Sequence, residues 1–301
     1  MMEYRKLGST DLLVSRICLG CMMMGWRCDL SEARRIFELA KAFGVNFLDT
    51  SVSYGRGKSH KIIGTCVPRS ERNSWLIATK VGGISSDSDP IDNQGLHPKN
   101  IIRQCELSLR QLEVDHIDLL QLHMPYDEVP VVEQLGALDL LRERGLVRHY
   151  GVCNYDLQRF ASLIETADQE GLFRPASHQF SYNYLEAEGR ADKIIQCLKF
   201  DVSPVVWGPL ASGLLTDRYL VRRTPLSNTR ISSGRECEMR TKQLASSSVG
   251  EKLDSLRGLA SSNGSTMQGE AIRWLTDQSK IDSVIVGPTT ASQLFELIQS
   301  R

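Results

Sequence analysis

The feature that most constrains this chain is a rhythm. Eight short runs rich in Val, Ile and Leu, each followed by an amphipathic stretch, repeat over nearly all of its 301 residues. The apolar runs fall at residues 16–21, 46–50, 75–81, 117–123, 149–154, 176–181, 202–207 and 283–287 and read as strands. The stretches 31–43, 59–66, 98–112, 131–144, 156–166, 187–198, 251–260 and 291–298 read as helices, with Ser31 and Asp156 among the start signals. Strand-then-helix units with no strand-rich or helix-rich half predict an α/β fold of the closed (β/α)8 type in one domain over residues 1–301; an open doubly wound sheet is the alternative.

Two stretches break the rhythm and predict long βα loops: 84–97, rich in Ser, Asp and Gly, and 216–250. In a barrel such loops surround the active site. The second carries six arginines between Arg218 and Lys242, so it either closes over an anionic ligand or forms a solvated loop.

Composition narrows the partners. Lys and Arg number 36 and so do Asp and Glu, and a formal charge of zero argues against a surface built for nucleic acid. No apolar run approaches the roughly 20 residues that cross a bilayer. The start, MMEYRKLGSTDLLVSR, carries no apolar core of signal-peptide length, so the expected place is the cytoplasm, with reduced thiols. Eight cysteines are scattered. Cys18 and Cys21 form a CxxC inside the apolar run ICLGC, where cysteine acts as a small hydrophobe, and no matching pair follows to hold a metal.

If the units close into a barrel, the C-terminal ends of the strands share one mouth. The ionisable residues there are Asp49, Tyr54, Lys80 and His123. Lys80 interrupts the apolar run WLIATKVGG and Asp49 lies in VNFLDTS, so each charge needs the other; an ion pair across neighbouring strands satisfies both. An ammonium beside a phenol is expected to lower its pKa from about 10 toward the working pH, making Tyr54 a proton donor to a carbonyl oxygen. His123 is placed to share that oxygen. Such a site has no electron source of its own, because no side chain supplies hydride.

The pieces NFLDTSVSYGRGKSHKIIG, LIATKVGG, DLLQLHMP, YGVCN, HQFSYN, VVWGPLASGLLT and IVGPTTASQL occur in this order, and with them the chain resembles an aldo-keto reductase over nearly its whole length. The resemblance implies a (β/α)8 barrel that binds a nicotinamide dinucleotide, NADP(H) ahead of NAD(H), and uses no metal. It implies the catalytic tetrad Asp49, Tyr54, Lys80 and His123, and a substrate that is a small carbonyl compound or an alcohol or sugar. For the cofactor it implies Asn154 and Gln179 on the nicotinamide carboxamide, Trp207 stacked on the ring, and Gly208, Pro209, Leu210, Ser212 and Gly213 along the pyrophosphate. Gly20 belongs to the same set, and Gly287, Thr289, Thr290, Gln293 and Glu296 would meet the adenosine end at a helix start that suits an anion. Some family members act instead as redox-sensing accessory subunits of ion channels. This sequence departs from the family where a cation often stands, at Thr289 or Gln293, and at Leu297 and His60, the last expected on a helix surface. Met22, Met23, Met24, Trp26 and residues 84–97 are expected to line the substrate pocket. The string GRGKSH lacks the first glycine of a phosphate-binding P-loop and is discounted.

Overall fold

The computed structural model describes residues 1–83, 95–219 and 237–299. A hairpin the rhythm did not predict comes first, β1 (Tyr4–Lys6) antiparallel to β2 (Leu13–Ser15). Then follow β3 (Ile17–Gly20), α1 (Leu30–Ala42), β4 (Phe47–Asp49), α2 (Lys58–Cys66), β5 (Leu76–Val81), α3 (Pro98–Leu112), β6 (Ile117–Leu122), α4 (Val131–Glu143), β7 (Val147–Cys153), α5 (Leu157–Gln169), β8 (Ser177–Ser181), α6 (Ala191–Lys199) and β9 (Ser203–Trp207). The chain ends with α7 (Cys237–Ala245), α8 (Ser247–Ser262), α9 (Met267–Thr276), β10 (Ser283–Val286) and α10 (Ala291–Gln299).

Strands β3 to β9 pair in parallel in chain order, and β10 lies between β9 and β3 to close an eight-stranded barrel. This is a (β/α)8 barrel, and each predicted strand is present to within two residues at either end. The strand period of two then sorts the interior into layers. Cys18, Phe47, Ala78, Leu119, Val205 and Ile285 pack together at the floor with Leu7, Leu12 and Val14 of the hairpin segment, which stoppers the N-terminal end. One step further along the same strands stand Gly20, Asp49, Lys80, Gln121, Gln179 and Trp207, so the next layer toward the mouth is polar. The alternate residues, such as Leu19, Leu48, Ile77, Leu120 and Val206, face outward into the main core beneath the helices.

Three readings need correction. The predicted 251–260 helix is present within α8, but the helix that packs on β10 and α10 is α9, which the sequence reading did not predict; α8 packs on α9. Met267, Ala271, Ile272 and Leu275 bury one face of α9, but the run SSNGST ahead of it reads as loop chemistry and hides its start. The 216–250 stretch is not all loop: α7 and the first turn of α8 lie in it. Finally, α1 starts one residue early, because Asp29 rather than Ser31 is the cap, accepting the Glu32 N–H at 2.9 Å. Asp156 caps α5 as expected.

Candidate active site

Tyr54 reaches the mouth through a turn that only glycine-rich sequence makes easily. Gly55, Arg56 and Gly57 are all left-handed, with φ of 55°, 57° and 84°, and α2 begins immediately after them. The GRGKS string is therefore the turn that presents the tyrosine.

Below it, Lys80 Nζ donates to Asp49 Oδ2 at 2.6 Å, to the Thr50 carbonyl at 3.0 Å and to the Tyr54 hydroxyl at 3.2 Å. Lys80 is 1% exposed and Asp49 3%. Burial alone would push the lysine pKa down. The Asp49 carboxylate, with smaller contributions from Tyr54 and Cys153, outweighs it, and the ammonium sits well above its ordinary range. For Tyr54 the balance goes the other way from the sequence expectation: burial dominates the pull of the Lys80 ammonium, and the phenol is raised to about 12 rather than lowered. His123, following β6, sets its ring edgewise to Tyr54, with centroids 5.9 Å apart, and its Nδ1 lies 3.5 Å from Ser51 Oγ.

The other oxygen of Asp49 belongs to a network that the sequence reading missed. Gln179 Nε2 donates to Asp49 Oδ1 at 2.7 Å and to Gln121 Oε1 at 3.0 Å, while Gln121 Nε2 also donates to Asp49 Oδ1 at 3.2 Å. Cys153 Sγ donates to Gln121 Oε1 at 3.4 Å. Gln121 was findable, standing one strand period before His123 and facing the same interior.

Asn154, left-handed at φ 63°, accepts the Trp207 indole N–H at 3.1 Å and donates to the His123 carbonyl at 3.2 Å. After Trp207 the backbone is unusual: Gly208, Ala211, Ser212 and Gly213 all have positive φ, two of them without being glycine. These residues fold the chain into tight turns at the mouth, in which the Ala211 N–H donates to the Gly208 carbonyl at 3.0 Å and the Gly213 N–H to the Leu210 carbonyl at 2.8 Å. A Cβ at Gly213 would meet nothing within 4 Å, so the turn is open there. The donor set fits a nicotinamide dinucleotide: Gln179 has committed both amide N–H groups, leaving Oε1 to accept from a carboxamide, beside a half-buried indole face.

Gly20 is buried at the end of β3, where a Cβ would stand 2.7 Å from Ile285 Cγ2; its small size serves packing against β10. At the start of α10, Thr289 and Gln293 are bonded to each other, Glu296 is exposed, and Leu297 belongs to the core. His60 is neither at the surface nor at the mouth. It is fully buried, with Nε2 2.8 Å from Thr79 Oγ1 and Nδ1 3.1 Å from Gln111 Oε1, and burial lowers its pKa to about 4. Met23 and Met24 are likewise core rather than pocket wall, whereas Trp26 is exposed under the Arg27 guanidinium. Residues 84–94 and most of the arginine-rich stretch lie outside the described residues; within it, Arg240 is buried on Glu186 at 2.6 Å. Cys18 and Cys21 are buried, and no group of His, Cys, Asp or Glu among the described residues is arranged to hold a metal ion.

Comparison with known proteins agrees with this geometry. The chain is 28% identical over 301 residues to an Arabidopsis thaliana protein named "Probable voltage-gated potassium channel subunit beta", covering 98% of this chain and 90% of that one. It is 29% identical to the uncharacterized oxidoreductase YrpG of Bacillus subtilis (99% and 91%), and 28% identical to the versiconal hemiacetal acetate reductase of Aspergillus parasiticus (99% and 92%). The Aldo/keto reductase family model matches residues 16–301. With the barrel closed and the mouth so furnished, the chain belongs to the aldo/keto reductase family.

Proposed function

We propose that this protein is an oxidoreductase that moves hydride between a nicotinamide dinucleotide and the carbonyl or alcohol carbon of a small substrate, with Tyr54 as proton donor. One observation carries the reading: a single buried ammonium, Lys80 Nζ, touches both the Asp49 carboxylate and the Tyr54 hydroxyl. A bound nicotinamide supplies the hydride that no side chain can.

The chain's own groups do the rest. Tyr54 arrives protonated and gives its proton to the substrate oxygen as negative charge develops there. Lys80 then stabilises the phenolate left behind, and Asp49 keeps Lys80 charged throughout. His123 offers a second hydrogen bond to the same oxygen and fixes the substrate's approach. Asn154, Gln179 and Trp207 hold and cover the nicotinamide, residues 208–213 follow the pyrophosphate, and the start of α10 faces the adenosine end. The seven described cysteines are free thiols, which supports a cytoplasmic placement, and no helix among the described residues is long and apolar enough to cross a membrane.

The test is a panel of aldehydes, ketones and alcohols followed by nicotinamide absorbance, for the native chain and Tyr54→Phe. Turnover in Tyr54→Phe that is unchanged from the native chain refutes the assignment. A second reading, an accessory subunit of an ion channel with little turnover, is favoured by the name of the Arabidopsis relative. Copurification with a membrane channel, together with no carbonyl reduction by the native chain, would put that reading first.

A further inference from the structure

We propose that Glu32 sets the cofactor preference of this site, turning it toward NAD(H) and against the 2′-phosphorylated NADP(H). The inference rests on the reading above that the adenosine end of a dinucleotide lies at the start of α10, and it reverses the preference for NADP(H) that the family resemblance carries.

The start of a helix is a place for negative charge, because its first N–H groups lack partners within the helix. Here the chain has filled that place itself. Glu32, from the first turn of α1, accepts the Ala291 N–H on Oε1 at 2.7 Å. Gln293 Oε1 accepts the Thr289 N–H at 2.8 Å, and Thr290 Oγ1 accepts the Gln293 N–H at 3.2 Å. Three backbone donors at this turn are therefore occupied, one of them by a carboxylate. Glu32 is not free to leave cheaply, since its own N–H is capped by Asp29 and its second oxygen accepts from Arg35 Nη1 at 3.0 Å.

α10 itself supplies no cationic side chain among the described residues. Residues 287–299 contain no Lys or Arg. A 2′-phosphate brought to this turn meets like charge and amides already in use, whereas a ribose 2′-hydroxyl can donate to a carboxylate oxygen. The nearest cation in these contacts is Arg35, and it is held on Glu32.

The experiment is calorimetric titration of the full chain with NADH and with NADPH, measuring dissociation constants rather than turnover, for the native protein, Glu32→Gln and Arg35→Met. Glu32→Gln keeps an oxygen for the Ala291 N–H and removes only the charge. The native chain is expected to bind NADH at least about tenfold tighter than NADPH, and Glu32→Gln to tighten NADPH at least about fivefold while leaving NADH within about twofold. Equal or tighter NADPH binding by the native chain, or a ratio unmoved in Glu32→Gln, overturns the inference alone. NADPH binding that is selectively lost in Arg35→Met also overturns it, by making the guanidinium the phosphate grip. If neither dinucleotide binds, the proposed function falls and this inference with it.

Discussion

The Lys80 ammonium lies 3.2 Å from the Tyr54 hydroxyl, yet the phenol's pKa stands at about 12, above its ordinary value of 10.0. Desolvation of the phenolate exceeds the attraction of the cation. Tyr54 is therefore protonated throughout the neutral range, as the role proposed for it requires. The ratio kcat/KM for carbonyl reduction is expected to stay flat from about pH 6 to pH 9, while alcohol oxidation, which needs the phenolate, rises with pH over the same interval. A reductive profile that falls between pH 7 and 9, and no longer does so in Tyr54→Phe, would show a lowered phenol instead.

Removing the hydroxyl separates chemistry from binding. Tyr54→Phe is expected to lower kcat by about 100- to 10,000-fold, the usual contribution of a general acid. Dinucleotide affinity, measured by titration, should change by no more than a few-fold, since the cofactor contacts proposed for Asn154, Gln179 and Trp207 do not include that atom.

The ion pair makes a stability prediction. Lys80 and Asp49 are both almost wholly buried, so Lys80→Met, which strands a carboxylate, should cost about 3–5 kcal/mol in urea denaturation. The Lys80→Met/Asp49→Asn double variant should lose clearly less than the sum of the two single variants. Strict additivity would mean that the two groups do not act as a pair.

His60 supplies a pH dependence of known sign. Its pKa falls from 6.5 to about 4, so stability from this group is fully present above pH 6.5 and is lost as the pH drops toward 4, where the unfolded chain takes up a proton that the folded one refuses. At pH 5 the loss is on the order of 1–2 kcal/mol. Denaturation curves at pH 7 and pH 5 should show it, and His60→Gln should diminish the difference. An unchanged pH slope in that variant would remove His60 from the account.

Gly20 tests the packing reading of a residue first assigned to the cofactor. A methyl there meets Ile285, so Gly20→Ala should destabilise by about 1–3 kcal/mol, seen as a lower melting temperature. A variant of normal stability with weakened dinucleotide binding would return Gly20 to the cofactor set.

Much of this was legible in the sequence because it depends on short-range pattern. Apolar runs of strand length located the barrel, and charges inside such runs made Asp49 and Lys80 conspicuous. What stayed hidden depends on distance through the fold. The burial of His60 is decided by Thr79 and Gln111, which lie 19 and 51 residues away. The direction of the Tyr54 shift depends on depth, which competes with a nearby charge and which no spacing reveals. The Glu32 carboxylate meets Ala291 across 259 residues, so a helix start that reads as a vacant anion site is already taken.

The hairpin packed against the floor of the barrel has a consequence for traffic. Leu7, Leu12 and Val14, packed among Cys18, Phe47 and Ile285, cover that end of the barrel. Under the proposed function, ligands of Tyr54 would then come and go past the C-terminal ends of the strands, and order-of-addition kinetics would read which of them must arrive first.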